Sequence, residues 1–225
     1  DSFFAQRMTR TAIVPELLTP ELSGDAHEFL EQLGAPEALP ALSLAATALS
    51  LDTVRDTATL RRFLTGYREQ VLVPVELPAI LAAQGHACRG ELRELLALDR
   101  ALGTNPQLIK FRSASAAVGR RELSKLRPLR DQRLVQRYLR AVDNAEAHGW
   151  HTLVFGVFLA QYSLPLRQGL AFYGQRTLGG FLDSASGALR LPLATADELF
   201  NETTAPVTEA VKELLDMQPG DVPAT

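Results

Sequence analysis

Apolar residues recur along this chain at intervals of three and four, the period of a helix that buries one side. Leu60, Phe63, Leu64, Tyr67 and Val71 form one such stripe, with Asp56 or Thr57 placed to cap it. Pro74 is expected to separate that helix from the next, in which Leu77, Ile80 and Leu81 face inward. Leu92, Leu95, Leu96 and Leu98 mark a further helix, as do Leu134, Tyr138, Ala141 and Ala145. Leu153 to Tyr162 is apolar nearly all round and belongs at the centre of the core. Ser163 is expected to cap a long helix with Pro165 just inside it and an inward stripe of Leu178, Leu182, Ala185 and Leu189. Thr195 and Glu198 have the spacing of a capping box for the last helix, which Pro206 should kink or break.

The stretch from Leu95 to Leu123 predicts two helices meeting at Gly103-Thr104-Asn105-Pro106, with Asn105 as the cap and Pro106 at the first helical position. Leu108, Phe111, Ser115 and Val118 share one face of the second, where Ala114, Ala117 and the flanking serines let another backbone come close. No alternating strand pattern, internal repeat or Gly/Ser linker interrupts the row. Pro15, Pro20, Pro36 and Pro40 limit the first 40 residues to short helices and extended links. The expected architecture is all-α, a single-domain bundle of about eight to ten helices over residues 25–218. A flexible segment, 1–24, precedes it and a disordered tail, 219–225, follows.

Composition supports a globular domain: 46% of the 225 residues are apolar and 22% charged. No apolar run approaches the ~20 residues of a membrane helix. The N-terminus has no signal-peptide pattern, Met8 is a candidate natural start, and the lone Cys88 fits a reducing cytoplasm. Net charge is only -3, yet ten basic residues fall between Lys110 and Arg140 against Glu122 and Asp131 alone. The first quarter is acidic, with Glu16, Glu21, Asp25, Glu28, Glu31 and Glu37. Such asymmetry fits a basic face for an acidic partner, or a solvated helix surface balanced elsewhere in the fold.

The sequence displays no catalytic constellation. His86 and Cys88 are two apart and diverge on a helix, and His148 and His151, three apart, are more simply satisfied or exposed histidines than metal ligands. The glycines of Gly169 to Thr177 imitate a phosphate-binding loop, but Gln175 and Arg176 stand where it needs Lys and Ser or Thr. Gly174, Gly179 and Gly180 fit close helix packing instead. Glu91 and Glu94 read as exposed helix positions, and no serine occupies a nucleophile elbow. No enzyme, cofactor or metal site is expected.

Several pieces, in order, resemble one family. Leu30-Glu31-Gln32-Leu33 with Pro36 resembles a Leu-x-Gln-Leu-x-x-Pro opening, and Val75-Glu76-Leu77-Pro78 an Asp-Leu-Pro stretch. Val54-Arg55-Asp56 with Leu60 and Phe63-Leu64 is similar to the helix between them. Leu98-Asp99, Leu108, Arg112, Ser115 and Gly119-Arg120-Arg121 form the most family-like portion. His151 with Phe155-Gly156 resembles a His-Pro-x-x-x-Gly element, and Ala188 to Leu193 a Val-Arg-Leu-x-Pro-Leu stretch. The family is that of the urease accessory protein UreF. Three departures stand out: Ala41 to Leu49 replaces a glycine- and aromatic-rich stretch, Thr152 a proline, and Ala194 to Glu198 a Gly-Gln-x-x-Gly-Gln element.

The resemblance implies a non-catalytic, homodimeric adaptor that bridges a UreD/UreH-type scaffold and the GTPase UreG and helps deliver nickel to apo-urease. Candidate partner-facing residues are Arg120, Arg121, Arg133, Arg137 and Arg140, plus Arg190 and Pro192 in the late stretch. Two alternatives remain: a divergent relative serving another assembly, and, less favoured, a basic face that binds nucleic acid. Only Phe111 and Tyr138 interleave with the basic residues, which leaves base stacking little to work with.

Overall fold

A computed structural model describes residues 38–106 and 108–217, and no strand occurs among them. The order is α1 (Ala38–Ala48), α2 (Thr57–Tyr67), a π-helical stretch (Arg68–Glu76), α3 (Leu77–Arg89), α4 (Leu92–Thr104) and α5 (Arg112–Ser124). It continues with α6 (Arg133–Asp143), α7 (His151–Gln161), α8 (Leu166–Ala188) and α9 (Leu193–Asp216). The all-α expectation is therefore met. The expected segments 1–24 and 219–225, the early prolines Pro15, Pro20 and Pro36, and the acids from Glu16 to Glu37 lie outside the described residues.

The apolar helix α7 is the axis of the core: every residue from Thr152 to Leu159 is buried. It packs on α3 along one side and α5 along another. Gly156 makes the first contact possible, since a Cβ there would lie 2.6 Å from the Ile80 carbonyl oxygen and 2.8 Å from Ala83 Cβ. Helices α8 and α9 pack on each other, with Gly174 of α8 against Val207 of α9, which agrees with a packing role for that glycine. The edge-to-face rings of Phe63, Tyr67 and Phe181, with centroids 5.3 and 4.8 Å apart, join α2 to α8. Asp56 caps α2 by accepting a hydrogen bond from the Thr59 N–H at 2.8 Å.

Several expected boundaries move. Pro74 does not separate two helices: one continuous helix runs from Thr57 to Arg89, 33 residues. Its middle widens into π turns, in which the Leu77 N–H reaches Leu72 O, five residues back. Pro74 itself is exposed, so carbonyls left without a donor can turn to water. The merged helix is long and apolar enough by composition to cross a membrane, unlike any run read from the sequence. Half of its most apolar window is buried in the fold, as in the core helix of a globular domain.

Pro106 does not open a helix. Asn105 ends α4, its carbonyl accepts from the N–H groups of Leu108 and Ile109, and α5 begins only at Arg112. The face predicted for Leu108, Phe111, Ser115 and Val118 is nevertheless buried. Ala145 lies beyond the end of α6 at φ 59°. Ser163 terminates α7 in the left-handed region rather than capping α8, and Pro165 is the residue preceding α8. Thr195 and Glu198 form no capping box, because α9 starts two residues before Thr195, at Leu193. Pro206 does not break α9: the carbonyl it leaves without a donor belongs to exposed Glu202, which water can serve.

Candidate interaction face

The strongest separation of charge from apolar surface is on α6. Val135, Tyr138, Leu139, Ala141 and Val142 turn inward, while Arg133, Arg137 and Arg140 are exposed at i, i+4 and i+7. On the neighbouring α5, Arg120 is exposed and its Nε donates to Ala116 O at 3.1 Å. Arg121 is half-buried and pairs with Glu122 at 2.9 Å, a carboxylate that Lys125 also meets at 2.7 Å. Arg127 holds Asp143 through two hydrogen bonds of 2.9 and 2.7 Å. Part of the basic run is thus balanced within the fold. Arg120, Arg133, Arg137 and Arg140 carry no ion pair among the described residues. The structure places Arg190, at φ 50°, and Pro192, the residue preceding α9, in the separate α8–α9 turn.

Behind α6 lies a buried carboxylate. Asp99 is fully inaccessible on α4. Its Oδ2 accepts from Tyr138 Oη–H at 3.1 Å and from the Gly149 N–H at 3.0 Å. Its Oδ1 accepts from the His148 N–H at 2.7 Å and meets His148 Nδ1 at 2.9 Å. Its carbonyl accepts from Trp150 Nε1 at 3.1 Å. One residue therefore ties α4 to α6 and to the loop before α7. That loop touches α5: a Cβ on Gly119 would fall 2.0 Å from Gly149 O, and the His151 N–H donates to Ser115 Oγ at 3.1 Å. Gly149, at φ 73°, takes a left-handed turn that suits glycine.

A second buried polar group closes the π stretch. Glu76 accepts from Tyr173 Oη–H at 3.2 Å, and burial pushes its pKa from 4.5 up to about 7, partly offset by hydrogen bonding from Tyr67 and Tyr173. Tyr67 and Tyr173 are themselves pushed upward, chiefly by burial and then by the Glu76 charge. The His151 ring lies 5.6 Å from that of Tyr173; the residue is only partly buried, yet desolvation of the ring lowers its pKa to about 4, so it is neutral at ordinary pH.

The histidines do different work from one another. His148 serves Asp99, His151 packs on the rings of Phe155 and Tyr173 at the edge of the core, and His86 bonds Glu91 at 2.8 Å. Glu91, read from sequence as exposed, is half-buried there and holds Arg89 as well. No group of three or more His, Cys, Asp or Glu residues suited to a metal ion occurs among the described residues. The segment Gly169 to Thr177 lies inside α8, with Gly169 packed on Leu159. Sequence reasoning missed Asp99 as an anchor, although it interrupts the stripe of Leu92, Leu95, Leu96 and Leu102 at a position facing the core.

These features define an all-α scaffold that offers a charged helical face. Its family is more specific: a model of the UreF family matches residues 54–191, more than half the chain, and the chain belongs to that family of urease accessory proteins. The matched region runs from the segment before α2 into the α8–α9 turn and stops at residue 191, so Pro192 and α9 lie beyond it. The family is a non-catalytic accessory family. No curated protein matches the chain.

Proposed function

We propose that this protein is a non-catalytic adaptor in urease maturation, which bridges a UreD/UreH-type scaffold and the UreG GTPase during nickel insertion. It does so in the cytoplasm as a homodimer. The observation that carries this reading is the family match over α2 to α8, the helices that build the core and the basic face. Such a protein works by holding partners in a fixed relation, which requires rigid faces and no reacting groups. Arg120, Arg121, Arg133, Arg137 and Arg140 suit an acidic partner surface, where charge complementarity raises the rate and selectivity of docking. Arg190 and Pro192 are offered as a second contact at the α8–α9 turn.

Co-expression with the cognate UreD/UreH-type and UreG-type proteins tests the proposal, read by gel filtration with light scattering. A complex of defined stoichiometry is expected. A folded protein that binds neither competent partner would overturn it. The second reading, a divergent relative serving another assembly, is favoured by Ala194 to Glu198, where the resembled family has its Gly-Gln element.

A further inference from the structure

We infer that Asp99 is a positioning residue for the basic docking face, fixing α5 and α6 in the mutual orientation that presents their arginines. The inference rests on the adaptor reading. Tyr138 is the sixth residue of α6: Arg137 precedes it directly, and Arg133 and Arg140 lie within two turns of it. Anchoring its hydroxyl on Asp99 Oδ2 therefore sets the rotation of α6 about its axis. The same carboxylate holds the His148 and Gly149 N–H groups, and Gly149 rests against α5 at Gly119, beside Arg120. The aliphatic stem of Arg120 also borders Gly149: a Cβ on that glycine would lie 3.3 Å from Arg120 Cγ. Through one buried side chain, both basic helices are referred to α4.

The substitution Asp99→Asn tests this with nearly unchanged shape. Each carboxylate oxygen of Asp99 accepts from a backbone N–H, so an amide NH2 on either side opposes a donor that cannot reverse. Gly119→Ala perturbs the same contact from the other side. Its new Cβ would meet Gly149 O far inside van der Waals distance, so helix or loop must yield by more than an ångström. Val211→Ala, in the buried core of α9, serves as a control for general destabilisation.

Full-length variants are titrated with the cognate UreD/UreH-type and UreG-type proteins, alongside hydrogen exchange at the His148 and Gly149 amides. Asp99→Asn and Gly119→Ala are expected to keep their helical circular dichroism, lose protection at those amides and bind about tenfold more weakly, equivalent to about 1.4 kcal/mol. Val211→Ala is expected to bind within twofold of the parent. If Asp99→Asn does not fold, Tyr138→Phe removes a single donor and is expected to weaken binding about threefold. Binding by both Asp99→Asn and Gly119→Ala within twofold of the parent overturns the inference and leaves the adaptor reading intact, as does an equal loss in Val211→Ala. Failure of the parent protein to bind overturns the adaptor reading and this inference with it.

Discussion

Replacing Glu76 by Gln should change how stability depends on pH more than it changes stability itself. The carboxyl is buried, and its pKa rises from 4.5 to about 7 on folding. At pH below 4.5 both folded and unfolded chains hold the proton, and the group has no effect. As pH rises from 4.5 to 7 the unfolded chain releases it first, so stability falls through that window and then levels off. At 1.36 kcal/mol per pH unit, the shift amounts to about 3 kcal/mol. His151 acts in the opposite sense: its pKa is lowered from 6.5 to about 4, so stability falls as pH drops through that range. The two slopes oppose each other between 4.5 and 6.5, and the parent protein should be nearly pH-independent there. Glu76→Gln removes one slope and exposes the other. The assay is urea unfolding followed by circular dichroism, for parent and variant, at pH values from about 4 to 8. The difference between them should move in favour of the variant by about 3 kcal/mol from pH 4.5 to pH 8, a comparison in which any packing change cancels. A difference constant within about 1 kcal/mol would refute the reasoning and show that Glu76 ionises in the fold as readily as in water.

Three further outcomes are expected. Gly156→Val should destabilise by about 1–3 kcal/mol or more in thermal unfolding, because even a Cβ there presses on the Ile80 carbonyl and Ala83. Gly149→Ala should cost about 1–2 kcal/mol by the same measurement, the strain of a left-handed conformation at φ 73°. Reversing Arg133, Arg137 and Arg140 together to Glu should leave the helical signal intact, since all three are exposed, and weaken partner binding at least tenfold at low salt. Unchanged binding by that triple variant would place the docking site elsewhere, the α8–α9 turn being the next region to test.

Helix positions were legible in the sequence wherever an apolar stripe was continuous: Leu60 to Val71, Leu153 to Leu159 and Leu178 to Ala185 are all buried as their spacing predicts. Proline is a misleading signal here, because its missing N–H ends a helix only where the orphaned carbonyl has no other outlet. At Pro74 a wider turn absorbs it, and at Pro206 the orphaned carbonyl faces outward. The arginine row of α6 could be read from periodicity alone. The groups that support it could not, because Asp99 and Glu76 look like surface acids until tertiary structure surrounds them with Tyr138, His148, Tyr67 and Tyr173. A carboxylate on an otherwise apolar stripe was the available signal, and all of its partners but Tyr67 lie 39 to 97 residues away in the chain.

The wide turn between Arg68 and Glu76 also governs which changes in chain length this fold can accept. The helix on either side serves different neighbours: α2 gives its stripe to α8 and α9, α3 gives its stripe chiefly to α7. Removing a residue from α2 or α3 would swing everything beyond it by about 100° and turn one of those stripes away from its neighbour. Removing one from the π stretch instead lets a five-residue turn close into a four-residue one, with both flanks still facing as before. Insertions and deletions along this helix are therefore to be sought among its nine wide residues, which act as slack between two fixed surfaces.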